Sequence, residues 1–164
     1  MNADYWIEKL NLTTHPEGGF YNEIYRSSEL VSANALPERY GEARCFSSSI
    51  YFLLKGEQKS KFHRLKTDEI WHFYEGSVVE IFILNEDGSI IVKILGKNVE
   101  KNEYFQIVVP RDNWFGARLI DNESFALLGC TLAPGFDFKD FELADRSELL
   151  KEYPQYKEII LELT

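Results

Sequence analysis

The sequence predicts a mostly β chain, an antiparallel sandwich or barrel with short helices at either end. Three observations lead there. Between Arg44 and Ala133 the chain breaks into about eight short apolar or alternating runs, the length and pattern of strands. Turn formers separate them: Gly56, Gly76, Glu86-Asp87-Gly88, Gly96, Pro110 and Asp121-Asn122-Glu123. Aromatic residues, which suit pleated and half-buried surfaces, make up 15% of the 164 residues, twelve of them Phe.

Each element follows from local pattern. Asp4–Leu10 puts Trp6, Ile7 and Leu10 at helical spacing for one or two turns. Thr13–Gly19 is all turn formers and reads as a loop, and Phe20–Arg26 as the first strand. Ser27–Ala43 is polar, carries Pro37 and Gly41, and reads as a long loop or lid. Strands are then expected over 44–55, 59–65, 69–74, 78–84, 89–95, 104–109, 115–120 and 125–133. Asn85-Glu86-Asp87-Gly88 marks a hairpin, with Gly88 free to take positive φ. After Pro134-Gly135 comes a loop. Two helices follow, Arg146–Glu152 capped by Asp145 and Gln155–Leu163 opened by Pro154. The length suits a single domain over 1–164, with the barrel core at about 44–133.

Charge narrows the functions. A net charge of −9, with no clustering of Lys and Arg, argues against nucleic-acid binding. The acidic surface also repels anionic lipid, and apolar runs such as Ile50–Leu54 are far too short to span a bilayer. Met1–Leu10 carries neither a secretory nor a transit pattern, so a cytoplasmic location is expected. Cys45 and Cys130 form no CxxC and sit in apolar strand runs, as buried free thiols do. Apolar residues on both faces of Ser49–Leu54 and Val78–Leu84 call for cover outside as well as inside, which predicts a homodimer.

The residues that carry chemistry concentrate in Phe62–Gly76. His63 and His72 flank the acidic pair Asp68-Glu69, and imidazole and carboxylate serve as metal ligands and as acid/base pairs. Strand parity divides them: Glu69, Trp71 and Phe73 share one face, Ile70, His72 and Tyr74 the other, so Glu69 and His72 meet only across a bulge. His63 lies across the Lys66–Asp68 turn from Glu69 and is expected to meet it as acid or base. The loop His15-Pro16-Glu17-Gly18-Gly19 can fold over a pocket mouth with Glu17 and Tyr21 facing in. Arg118, in an otherwise apolar strand, and Arg26, Arg44 and Arg64 suggest an anionic group on a small-molecule ligand. Trp71, Phe73, Trp114 and Phe115 would supply ring walls.

Those residues also carry a resemblance. Phe62-His63-Arg64-Leu65 through Gly76 is similar to the first cupin motif (His-x-His, three or four residues, Glu, six residues, Gly), with His63, Glu69 and Gly76 in register. Val109-Pro110-Arg111-Asp112-Asn113-Trp114-Phe115 resembles the second motif, Pro-x-Gly-x-x-His. Nearly the whole chain is similar to a domain-of-unknown-function branch, the fifth cupin type. The stretches that carry this are His15–Tyr21, Phe62–Leu65 with Asp68–Tyr74, and Gly129–Phe136. The resemblance implies a double-stranded β-helix, the cupin jelly-roll barrel, with short N- and C-terminal helices. Metal-binding cupins use two His and a Glu of the first motif and the His of the second; here Leu65 and Phe115 stand at two of those positions. No cofactor is therefore expected. The chain is similar in this to metal-free cupins such as dehydrorhamnose epimerases, where a His base acts on a sugar. A divalent-metal enzyme using His63, Glu69 and His72, and a non-catalytic metabolite-binding module, are the alternatives.

Overall fold

The computed structural model describes all 164 residues. Helix α1 (Ala3–Lys9) opens the chain, its first turn capped by the Asn2 side chain accepting from Tyr5 N. A short strand β1 (Thr13–Thr14) leads through the Gly18-Gly19 turn into β2 (Phe20–Arg26). The segment 27–43 is less irregular than its composition suggests, since β3 (Leu30–Val31) pairs with β4 (Arg44–Cys45) and two 3-10 turns lie between them. Six long strands follow at the expected places: β5 (Ser48–Lys55), β6 (Lys59–Leu65), β7 (Glu69–Gly76), β8 (Val79–Leu84), β9 (Ile90–Leu95) and β10 (Gln106–Val109). Then come β11 (Trp114–Leu119), β12 (Phe125–Leu132), the short β13 (Phe141–Leu143), and helices α2 (Arg146–Glu152) and α3 (Lys157–Glu162).

Every strand pair within the two main sheets is antiparallel. One sheet runs β1-β2-β5-β12-β7-β10, the other β13-β6-β11-β8-β9. Their inner faces close on one core in which Phe52, Trp71, Ile81, Phe115 and Leu128 are almost wholly buried. Parity holds along β7, where Glu69, Trp71 and Phe73 are buried and the residues between them are not.

The apolar outer faces that predict a second copy are covered in large part by this chain. Leu53 and Leu127 pack with Leu12 and α1 residues Trp6 and Ile7. Phe82, Leu84 and Trp114 pack under Leu149, Tyr153, Ile160 and Leu163. What stays open is the rest of the outer face of the larger sheet. There Tyr25, Ser49, Thr131, Ile70 and Val108 align in one row across five strands, and Asn22, Tyr51, Gly129, His72 and Gln106 in the next. Neither row holds an Asp, Glu, Lys or Arg.

Strand β6 departs from regular pairing at one point that matters. Phe115 of β11 sits opposite His63 and Ala117 opposite Ser60, so three steps of β6 face two of β11. This bulge puts Ser60 on the side of His63, which regular alternation would forbid. The backbone groups it frees are all satisfied: Lys61 N donates to Glu17 O, Phe62 N to Leu163 O, and Phe62 O accepts from Ala144 N.

Candidate functional site

A cavity of about 460 Å³ opens between the sheets at the end where the 15–19 loop, β6 and the 135–141 segment converge. Its polar floor is built from three places in the sequence. Gly18 and Gly19 adopt φ of +112° and +72°, and a Cβ at Gly18 would collide with the Lys59 carbonyl. Only glycine lets this loop run so close to β6, and the approach drops Glu17 into the barrel. Glu17 is 6% exposed; its Oε1 accepts from Ser60 Oγ at 2.8 Å and its Oε2 lies 3.1 Å from His63 Nε2. The bulge thus serves Glu17 twice, presenting Ser60 to one oxygen and His63 to the other.

Hydrogen-bond logic fixes the His63 tautomer. Its Nδ1 is 2.7 Å from the Lys61 carbonyl, which can only accept, so Nδ1 carries a proton. Nε2 then needs a proton between itself and Glu17 Oε2, held by one or the other. Burial pushes the Glu17 carboxyl above its ordinary pKa and the His63 imidazole below its own. His15 completes the cluster: its Nδ1 accepts from Glu17 N at 3.3 Å and lies 3.5 Å from Glu17 Oε2, and burial lowers its pKa too.

Glu69 lines the same cavity and feels the charges of both members of this pair. It makes no direct ion pair or hydrogen bond with His63, whose Nε2 faces Glu17 instead. Glu69 Oε2 instead accepts from Trp71 Nε1 at 2.7 Å, two residues along the same strand face. Burial, helped by the charge of Glu17, raises its pKa to about 7. Cys130 lies beside it, its thiol pushed well above the ordinary range first by burial and then by Glu69. The other free thiol, Cys45, is also buried.

The remaining sequence candidates divide by location. Tyr21 lines the cavity, its ring edge-on to His15 at 4.6 Å. Trp71 acts one step back, orienting Glu69 from the core, and Phe115 backs the His63 ring at 4.1 Å. Phe73 is core and does not reach the cavity. Trp114 faces outward under Arg64 and the C-terminal helices, because β11 parity puts it opposite to Phe115. Arg118 also faces outward: its Nε donates to Glu80 at 2.9 Å and its Nη1 to Glu162 at 2.5 Å. It is therefore no counter-charge for Glu69. His72 lies on the open outer face, with Nε2 3.1 Å from Thr131 Oγ1 and Nδ1 3.1 Å from Gln106. The other arginines are committed as well: Arg26 to Glu23, Arg44 to Asp140, Arg64 to Glu142.

Sequence reasoning missed the cavity wall. Phe136, Asp137, Phe138 and Phe141 line it, from a segment read as plain loop, and residues 27–43 contribute nothing to it. Strand β13 is only three residues long, too short for an alternating pattern to register. Arg39 and Tyr40, from the presumed lid, instead anchor the β6–β7 turn through Lys66 O and Thr67 Oγ1. No three His, Cys, Asp or Glu side chains come together in an arrangement able to hold a metal ion.

Residues 4–144 match the family described as Cupin superfamily (DUF985). The chain is a cupin. A Shewanella oneidensis protein of known crystal structure is similar to this cupin over its full length, at 38% identity, 98% of that chain and a TM-score of 0.91. A hypothetical protein from Leishmania major is similar at 32% identity, over all of this chain and 99% of that one, with a TM-score of 0.88. An uncharacterized protein of Saccharomyces cerevisiae is 28% identical over 155 residues, 88% of this chain and 76% of its own. Oxalate decarboxylase from Bacillus subtilis shares the fold at 16% identity and a TM-score of 0.56, this cupin spanning 92% of itself but 36% of that chain.

Proposed function

We propose that this cupin is a metal-independent acid–base enzyme, isomerase- or epimerase-like, acting on a small polar carbonyl metabolite such as a sugar derivative. The observation that carries the reading is the 3.1 Å contact of His63 Nε2 with Glu17 Oε2, which calls for one shared proton, buried at the floor of an open cavity. A group that can take up or release a proton near neutral pH with little change of environment is what proton transfer at carbon requires. Glu69, with its pKa near 7, supplies a second such group on the facing sheet, so a proton taken on one side can be returned on the other.

The residues do not fit the metal of metal-binding cupins. Leu65 and Phe115 present hydrocarbon at two ligand positions, both nitrogens of His63 are engaged, and His72 lies across the sheet from the cavity. Proton transfer is therefore assigned to side chains alone. We also propose a homodimer in a reducing, cytoplasmic setting: two adjacent rows of uncharged residues on the open sheet face, in a chain of net charge −9, let a second copy approach without charge repulsion.

The test is deuterium wash-in. Small keto and aldehydo sugars are incubated with the protein in D2O, with and without a chelator, and the C–H next to the carbonyl is followed by proton NMR. Exchange that survives the chelator and is lost in His63→Gln supports the reading. Exchange indifferent to His63, or saturable binding without exchange, overturns it, the latter in favour of a binding module.

A further inference from the structure

The charges around the cavity do not cancel. Glu17 and His63 hold one proton between them and are neutral as a pair. Arg26, the sole Lys or Arg lining the cavity, is tied to Glu23: its Nε and Nη2 donate to the two carboxylate oxygens at 2.9 and 2.6 Å, and its Nη1 donates to Phe136 O at 2.9 Å. Two carboxyl groups remain outside any direct ion pair: Glu69 in the depth, and Asp137 on the wall, whose Oδ1 accepts from Lys139 N and whose charge is felt by Arg44 and Lys139 from further off.

Phenylalanines bridge the distance between them. Phe136, Phe138 and Phe141 pack edge-on, their centroids 4.9 to 6.3 Å apart. Phe138 is 56% exposed at the mouth, while the Phe141 ring lies 5.3 Å from that of His63. Ring faces attract cations, and unpaired carboxylates hold them. An anion in the same space would face the rings and both carboxylates, with every arginine expected to receive it already paired.

We propose that the substrate of this cavity is a small amine-bearing cation, its ammonium group held between Asp137 and the phenylalanine wall with the reacting carbon presented to His63, and that anions are turned away. The inference rests on the reading of the cavity as a substrate site, and it replaces the anionic ligand that the arginines suggest in sequence.

Ligand-observed NMR tests it with a library in which each small polar scaffold is present as its amine, its alcohol and its carboxylate. Amines bind at least tenfold more tightly than the matching carboxylates. Asp137→Asn, which keeps the hydrogen bond from Lys139 N, reduces that preference at least fivefold. Glu23→Gln, which releases Arg26, raises carboxylate binding. A preference for carboxylates, equal affinity across the three forms, or no saturable binding of any amine overturns the proposal. An amine that binds both wild type and His63→Gln while neither exchanges deuterium removes the acid–base reading and leaves this one standing.

Discussion

The Nε2 atom of His63 lies 3.1 Å from Oε2 of Glu17 while its Nδ1 is committed to the Lys61 carbonyl, so the two side chains form a neutral unit that depends on a donor between them. Glutamine at position 17 can serve that unit, its amide donating to Nε2 and its oxygen accepting from Ser60. Glu17→Gln is expected to keep stability within about 1 kcal/mol of wild type. Glu17→Ala leaves Ser60 Oγ and His63 Nε2 buried without partners and opens a cavity, costing about 2–4 kcal/mol. Urea unfolding of the two variants checks this; equal losses would mean that the hydrogen bonds contribute nothing.

Glu69 gives the protein a pH signature. Its pKa rises from 4.5 to about 7 on folding, so between those values the folded chain binds more protons than the unfolded one. Stability from this group is therefore present at low pH and lost as pH climbs from about 4.5 to 7, by on the order of 3 kcal/mol at about 1.4 kcal/mol per unit. His15 and His63, with lowered pKa values, act in the opposite sense and weaken the fold as pH drops below about 6.5. Glu69→Gln, still able to accept from Trp71, should match wild type near pH 5 and exceed it at pH 8. A difference that does not change with pH would contradict the assignment.

Arg44 and Asp140 form a bidentate pair, both contacts 2.7 Å, with side chains only 2% and 4% exposed. Asp140→Ala strands a buried guanidinium and is expected to cost about 3–5 kcal/mol. Replacing both residues, Arg44→Met with Asp140→Leu, should cost far less, because no charge is left behind. Denaturant midpoints that fall equally in the single and double variants would show that packing, rather than charge, governs the site.

Val108 is close to half exposed within the uncharged row on the open sheet face. If a second copy covers that face, Val108→Asp places like charges against each other and shifts a dimer to monomer in light scattering. Wild type running as a monomer at micromolar concentration would remove the dimer altogether.

Much of the fold is legible in the sequence because strands of six to eight residues repeat their alternation often enough to be seen, as β7 does from Glu69 to Phe73. Glu69 could be placed facing inward for the same reason, and Glu17 and Tyr21 near the same pocket from the glycine-rich loop that carries them. The partner of His63 could not. It depends on a bulge, which inverts parity without leaving a mark in composition, and on a loop contact between residues 17 and 63. The wall at Phe136–Phe141 escaped because a three-residue strand has no period, and Arg118 misled because its carboxylate partners, Glu80 and Glu162, are far away in sequence.

The proton-holding pair is a product of chain length as much as of residue identity. Three steps of β6 span what two would, and the supernumerary Lys61 lends its backbone to both members of the pair, its N–H to Glu17 O and its carbonyl to His63 Nδ1. Deleting Lys61 would leave Ser60 and His63 two positions apart and still on one face, but it would remove the carbonyl that fixes the His63 tautomer and the N–H that tethers the Glu17 loop. A barrel with the same histidine and glutamate but a β6 shorter by one would keep that inventory and lose the two backbone contacts that orient it.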